Sequence, residues 1–426
     1  MRQAYTILPV YTGDVSGVCS ALFELGGMVV IHDPSGCNST YNTHDEVRWY
    51  DQDSLVFISG LTDVDAIMGD DEKLVRDVVE AVRQTRPRFV ALVNSPIPYQ
   101  VGCDFAAIAR EVEAATGTPT HYLATNGMHD YVHGAGIAFA ALADLAVTEP
   151  DARTGEKDPL PAAASGRGAL PAVNVLGMTP LDFAATGSRD SVARFVREAG
   201  LSLGAVWAEG STLDELAASA SAALNLVVSA TGLAAARRLR ERFGTPYVVG
   251  LPTRGFSGEL ARAMWASIAD GRCRNACLDY RRAAAVGAGG PGAGGAPDVA
   301  LVGEPVQMGS LAASLAAAGV ASRVVSPLED TAGLVDEGLG DEAVWGEEEV
   351  ARALSGAGTV VGDPFFSLVC AGARLVRMPH LALSGRQWLH EVPNLMEVDL
   401  ATELAGGMPQ DGTTPDRPSE GEGHES

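Results

Sequence analysis

The residues able to do redox or metal chemistry in this chain are six cysteines and eight histidines. Cys37 has the most telling setting. It ends the turn His32-Asp33-Pro34-Ser35-Gly36-Cys37, directly after the apolar run MVVIHD that starts at Met28. A thiol at the mouth of a sheet, beside a glycine that lets a bulky group approach, suits an iron–sulfur ligand. The alternative is a small buried hydrophobe, since free cysteines pack as such. Cys103 follows the run FVALV and the turn Asn94-Ser95-Pro96, just ahead of a helix expected over Asp104 to Ala115. A helix N-terminus lowers a thiol's pKa and favours the thiolate that metals bind; simple packing is the other reading. Cys19 shares a helical face with Val15, Val18 and Leu22 and reads as core. Cys273 and Cys277 stand four apart and would face the same way on one helix, without a nearby ligand to complete a zinc set. Cys370, in FFSLVCAGARL, reads as helix core.

The histidines are scattered. His44 is close enough to Cys37 in sequence to line the same pocket, while His129 and His133 form an i,i+4 pair. That pair could bind a metal, or serve as a polar pair at a helix start or a partner interface. No Gly-Xaa-Ser-Xaa-Gly elbow, paired catalytic carboxylates or Cys-Xaa-Xaa-Cys motif stands out. The two lysines, Lys73 and Lys157, are not followed by Ser or Thr, so no Walker A loop exists.

These residues need a frame. The chain has 426 residues, 46 % of them apolar and 20 % charged, which is a globular balance with room for two or three domains. A net charge of −24, from 30 basic and 54 acidic side chains, argues against nucleic acid as a partner. Apolar runs are too short to cross a bilayer, and the opening MRQAYTILPVYTGD lacks the features of a signal peptide. A cytoplasmic protein with reduced thiols is expected.

Two composition breaks divide the chain: the Pro-, Gly- and charge-rich stretch Thr148 to Pro171, and AAAVGAGGPGAGGAP from Ala283 to Pro297. They predict units over 1–147, 172–282 and 298–404, linkers over 148–171 and 283–297, and a disordered acidic tail over 405–426. Within each unit, strand-length apolar runs alternate with helix-period stretches. MVVIHD, LVFIS and FVALV serve the first; AVNVLGM, GAVWAEG, LNLVVSA and PYVVGLP the second; DVALVGEP, SRVVSP and TVVGDP the third. Between them, Glu72 to Gln84 places Leu74, Val75, Val78, Val79 and Val82 on one helical face, and Gly232 to Gly244 ends in a capping glycine. This alternation predicts an α/β fold of three doubly wound, Rossmann-like parallel sheets. Ligands then sit at the carboxyl ends of strands.

Taken in order, the segments resemble the nitrogenase component 1 family. That family includes the molybdenum–iron protein subunits, the catalytic subunits of protochlorophyllide and chlorophyllide reductases, and nickel-sirohydrochlorin diamide reductase. GVCSALFELGGMVVIHDPSGCNSTYNTHDE is similar to the family's first helix, strand and cysteine turn. SGLTDVDAIMGDDEKL and FVALVNSPIPYQVGCDFAAIAREVEAATGTP resemble the stretches that follow, and RERFGTPYVVGLPTRG, DVALVGEPVQMGSLAASLAAAGV and MPHLALSGR fit the later units.

The resemblance implies a nitrogenase-like reductase component. It would accept electrons from an ATP-binding iron protein carrying a [4Fe–4S] cluster. A homologous α-type partner subunit would share an interfacial iron–sulfur cluster with it, either [4Fe–4S] or larger and P-cluster-like, in a heterotetramer. Cys37 falls on the second of three family ligand positions. The first falls near Thr12 and the third at Ser95, neither a cysteine. The resemblance therefore leaves a displaced set using Cys19 and Cys103, oxygen ligation by Ser95 or Asp14, or Cys37 alone with the partner supplying the rest. In protochlorophyllide reductase one subunit gives three cysteines and the other a single aspartate at the position of Cys37. The cysteine that holds the nitrogenase cofactor would fall near Val228 or Ser229 and is missing, which fits a β-type or a tetrapyrrole-reductase-like subunit. A scaffold for metal-cofactor assembly, or a non-redox paralogue without its cluster, are the alternatives.

Overall fold

The computed structural model describes residues 5–34, 46–53, 55–69, 71–148, 170–287 and 298–405. Cys37, His44, most of the first expected linker, the glycine-rich part of the second and nearly all of the acidic tail lie outside the described residues.

The first unit runs α1 (Asp14–Leu22), β1 (Met28–His32), β2 (Leu55–Ile58), α2 (Asp63–Met68), α3 (Asp71–Thr85), β3 (Val90–Asn94), α4 (Pro96–Val101), α5 (Phe105–Thr116), β4 (Thr120–Tyr122) and α6 (Tyr131–Leu145). The second runs β5 (Ala172–Leu176), α7 (Pro180–Phe183), α8 (Ser188–Glu198), β6 (Ser202–Val206), α9 (Leu213–Ala217), β7 (Leu224–Val227), α10 (Leu233–Phe243), β8 (Tyr247–Val249), α11 (Ser257–Asp270), β9 (Arg274–Asn275) and α12 (Ala276–Gly287). The third has β10 (Val299–Val302), α13 (Pro305–Ala317), β11 (Ser322–Ser326), β12 (Glu342–Ala343), α14 (Glu347–Leu354), β13 (Thr359–Gly362), β14 (Arg374–Arg377), α15 (Leu381–Ser384) and α16 (Leu400–Ala405).

All pairings within the three sheets are parallel, in the orders β2-β1-β3-β4, β6-β5-β7-β8-β9 and β12-β11-β10-β13-β14. Central strands are buried and mainly apolar because helices cover both faces, with Asn174 of β5 and Asn225 of β7 hydrogen-bonded to each other inside. In β1 alternate side chains divide between two cores: Val29 and Ile31 pack with α1 and α6, Met28 and Val30 with α3 and α5. The α3 face buries Leu74, Val78, Val79 and Val82. Nine consecutive residues of α1 are buried, because it crosses α6 at backbone contact. A Cβ on Gly17 would strike the Tyr131 carbonyl, and one on Gly134 the Asp14 backbone. One core joins the first and second units across α6 and α10, and another joins the second and third.

Three local expectations are corrected. Helix α12 continues to Gly287, into the stretch read as linker, because its alanines are strong helix formers. Cys273 and Cys277 do not share a helix: β9 separates Cys273 from α12, where Cys277 is buried with Sγ 3.2 Å from Ser310 Oγ. Cys370 is buried in the third unit's core, but just past a short 3-10 segment (Pro364–Leu368) instead of inside a helix. Among the described residues no helix is long and apolar enough to cross a membrane.

Candidate functional site

Each sheet changes winding direction at a central strand pair: β1 and β3, β5 and β7, β10 and β13. The carboxyl ends of such pairs are where open α/β sheets take ligands.

In the first unit Asp33 follows β1 and Ser95 follows β3. The Ser95 hydroxyl donates to Asp33 Oδ1, and its amide donates to the His32 carbonyl at 3.3 Å. His32 Nδ1 lies 2.7 Å from Ser59 Oγ, and the Leu61 amide donates to the Asp33 carbonyl at 2.9 Å. Burial pushes the His32 pKa down to about 4, so the ring is neutral. The loops that follow β1, β2 and β3 are thus stitched together at the sheet mouth.

The other sulfur candidates do not converge there. Cys19 is fully buried on the α1 face of the sheet, its thiol pKa pushed up by burial with Glu46 adding to the effect. Cys103 packs against the opposite core, beside α3 and α5. The two cysteines thus belong to the cores on opposite faces of the first sheet. The expected lowering of the Cys103 pKa is also reversed: burial raises it and the Asp71 carboxylate adds to this. Asp104 takes the N-cap of α5, leaving Cys103 one residue outside the helix. Asp14 is committed as well, accepting the amides of Val15, Asn126 and Gly127 at 2.8, 2.9 and 2.8 Å.

Apolar side chains crowd the same rim. Helix α2 has no buried residue; its Ile67 is 83 % exposed, with Val64 and Met68 exposed beside it in sequence. Helix α4 adds exposed Ile97, Tyr99 and Val101.

The second and third switch points face each other. Asp182 is fully buried and accepts from Tyr131 Oη (2.6 Å), Ser229 Oγ (2.7 Å) and Thr179 Oγ1 (2.9 Å). Glu304, after β10, caps α13 and accepts the Ala230 amide at 2.8 Å. Burial, with the charge of Asp182, pushes Glu304 up to about 8. His380 Nε2 lies 3.4 Å from Asp182 Oδ1, too poorly aligned for a hydrogen bond, and the Tyr11 hydroxyl is likewise buried without a partner among the described residues. The space left among Tyr11, Asp182, Glu304, Asp363 and His380 is about 20 Å³, room for one water. Sequence reading missed this cluster, although β10 and β13 both end Gly-acid-Pro (Gly303-Glu304-Pro305 and Gly362-Asp363-Pro364), a signal at strand ends.

A larger cavity, about 620 Å³, opens between the first and third units, with Tyr5, Gly127, His129, Glu329, Trp345 and Glu349 among its lining. Of the expected histidine pair, His129 stands at its wall, and His133 lies in the first turn of α6, which Asp130 caps. His129 Nδ1 lies 2.7 Å from Glu329 Oε2, and His133 Nδ1 lies 3.1 Å from Asp330 Oδ2.

Comparisons with known proteins agree with this architecture. The sequence model of the nitrogenase component 1 type oxidoreductases matches residues 16–258, more than half of the chain. One of the subunits of the light-independent protochlorophyllide reductase from Nostoc punctiforme is 35 % identical over 86 residues, 20 % of this chain and 17 % of that protein. Its counterpart from Prosthecochloris aestuarii is 37 % identical over 83 residues, 19 % of this chain and 16 % of that one. The chain thus matches only about a sixth of the length of these curated relatives. A solved structure of nitrogenase Cp1 at pH 6.5 superposes over 98 % of both chains with a TM-score of 0.66 at 14 % identity. A second, of nitrogenase Cp1 at pH 5, covers 96 % of this chain and 92 % of that one, with a TM-score of 0.57 at 15 % identity. At such identity these two speak for the fold alone. The chain belongs to the nitrogenase component 1 type oxidoreductase family.

Proposed function

We propose that this chain is a cytoplasmic subunit of a two-component, ATP-dependent reductase. It docks on a homologous α-type subunit through the rim of its first sheet and receives electrons from an ATP-binding iron protein. The observation that carries the reading is the rim itself. Helix α2 buries nothing while exposing Val64, Ile67 and Met68, at the sheet edge from which the chain runs toward Cys37. A helix left so uncovered at the carboxyl edge of the first sheet offers an apolar surface for a partner.

Cys19 and Cys103 pack into cores on opposite faces of the sheet, which speaks against both joining Cys37 on one cluster. Our reading therefore assigns Cys37 as this chain's thiolate and gives the remaining ligands to the partner. An iron–sulfur cluster held so would supply one-electron transfer. The chain's own part is to fix the carboxyl ends of β1 and β3 through the Asp33–Ser95 contact and to exclude water with the apolar rim. The same divergence of Cys19 and Cys103 favours, as second reading, a paralogue that keeps the interface without redox chemistry. A cofactor-assembly scaffold would bind a cluster but not turn over.

The test is anaerobic co-purification with the partner subunit, followed by mixing with the reduced iron protein. The proposal expects iron and sulfide in the complex and a paramagnetic signal that appears only with MgATP. A complex free of iron and sulfide would establish the non-redox reading instead.

A further inference from the structure

We propose that His129, His133 and Glu329 form a binding site for a divalent transition-metal ion of the zinc class, at the wall of the cavity between the first and third units. Each offers a donor atom, and the three lie within 4.8 Å of one another. Two imidazoles and one carboxylate are the ligand type of catalytic zinc and of non-haem iron sites, which keep coordination positions open. His129 Nδ1 and Glu329 Oε2 stand 2.7 Å apart as a hydrogen-bonded pair; two ligands about 2.0–2.2 Å from a tetrahedral ion stand roughly 3.3–3.6 Å apart, so the pair opens by less than about 1 Å to admit the ion. The imidazole rings lie 4.3 Å apart, centroid to centroid and tilted by 31°, so both are presented on the same side of the start of α6.

The surroundings are those of a prepared site. Asp330 Oδ2, 3.1 Å from His133 Nδ1, holds that ring as carboxylates hold metal-bound histidines, leaving Nε2 for an ion. The Asp130 carboxylate accepts the amides of Val132 and His133 at 3.0 and 3.2 Å and of Glu329 at 2.6 Å. The two segments carrying the ligands are thereby tied together before any ion arrives. The side chains of His129 and His133 are 34 % and 30 % exposed, so an ion can reach them. Asp130, Glu348 and Glu349 also line the cavity and draw cations toward it. A hydrogen-bonded clip between the two units is the competing account, and it predicts no metal affinity. The donor set contains no cysteine, so this inference does not depend on the reductase reading.

The experiment uses the full chain without a histidine tag, titrated with Co²⁺ under calorimetry and visible absorption, then with Zn²⁺ as competitor. The expected result is one Co²⁺ per chain, with ligand-field bands in the visible, no thiolate-to-metal charge-transfer band, and displacement by Zn²⁺. The paired substitution His129→Gln with His133→Gln, which keeps side-chain hydrogen bonding, should abolish binding, as should Glu329→Gln alone. Asp330→Asn should weaken binding about 10–100-fold. Circular dichroism confirms that each variant is folded, and the single variants decide the matter if the pair fails to fold. Wild-type protein that binds no Co²⁺, binding that survives in a folded Gln variant, or a thiolate band in the spectrum would each overturn the assignment.

Discussion

The switch point of the first sheet and the joint between the second and third occupy equivalent places in their folds, yet they are opposite in character. At the first, Asp33 and Ser95 form one compact polar contact, and the rim beyond it is apolar and exposed. At the joint, Asp182, Glu304, Asp363 and His380 fill the same topological position and leave about 20 Å³. A strand-end location is therefore not sufficient to leave room for a ligand in this fold. What matters is whether the chain fills the place with its own side chains. Polar filling makes the joint a stability element, whereas the uncovered apolar rim is the ground for the proposed docking surface on the first unit.

The contrast can be broken most forcefully at Asp182. Replacing it with Ala leaves the buried hydroxyls of Tyr131, Ser229 and Thr179 without their acceptor. At roughly 1–3 kcal/mol for each unsatisfied group, a loss of about 3 kcal/mol or more is expected in urea unfolding. A loss below about 1 kcal/mol would mean that the joint is looser and wetter than described.

Next in size is the α1–α6 crossing, which carries the first unit against the second. Gly134→Ala drives a methyl group into the Asp14 backbone and should destabilise the protein by about 1–3 kcal/mol. A thermal melt checks this, and an unchanged melting temperature would show that the helices can separate cheaply.

Glu304 sharpens the comparison through pH. Its pKa rises from 4.5 in the unfolded chain to about 8 in the fold, so between these values the folded state holds a proton that the unfolded state has released. The contribution of Glu304 to stability is therefore fully present below pH 4.5, falls as pH rises toward about 8, and is flat beyond. Urea midpoints across this window should show a shallower pH slope in Glu304→Gln than in wild type. Identical slopes would mean that Glu304 is ionised in the folded joint.

The smallest stability effect belongs to the rim. Ile67→Glu should change unfolding by no more than about 0.5 kcal/mol, because the side chain is 83 % exposed, while abolishing association with the partner subunit. Light scattering on the mixed subunits reads this directly. Retained assembly would move the interface elsewhere.

Much of this frame was legible in the sequence. The central strands β1, β3, β5, β7, β10 and β13 are mainly apolar runs bounded by turn residues, interrupted in β5 and β7 by one asparagine each, and burial on both faces dictates that pattern. The edge strands β4, β9, β12 and β14 escaped notice because they have two to four residues and take their pairing from neighbours. The site was less legible. The His129–His133 pair could be read from its spacing, but its carboxylate partner Glu329 is 200 residues away on another unit. Asp182 and His380 meet only because two sheets face each other. For Cys103 a local rule misled: the helix start was found, but Asp104 caps it and the nearby Asp71 opposes the thiolate.

The assignment of Cys37 as this chain's cluster ligand at the first switch point is tested most directly by iron and sulfide content. The partner-bound complex is purified anaerobically as wild type, Cys37→Ala and Cys277→Ala. With Cys37 as the ligand, Cys37→Ala loses most of the iron. Cys277→Ala, buried beside Ser310 far along the chain, should keep it. Iron that is unchanged in the Cys37 variant would contradict that assignment.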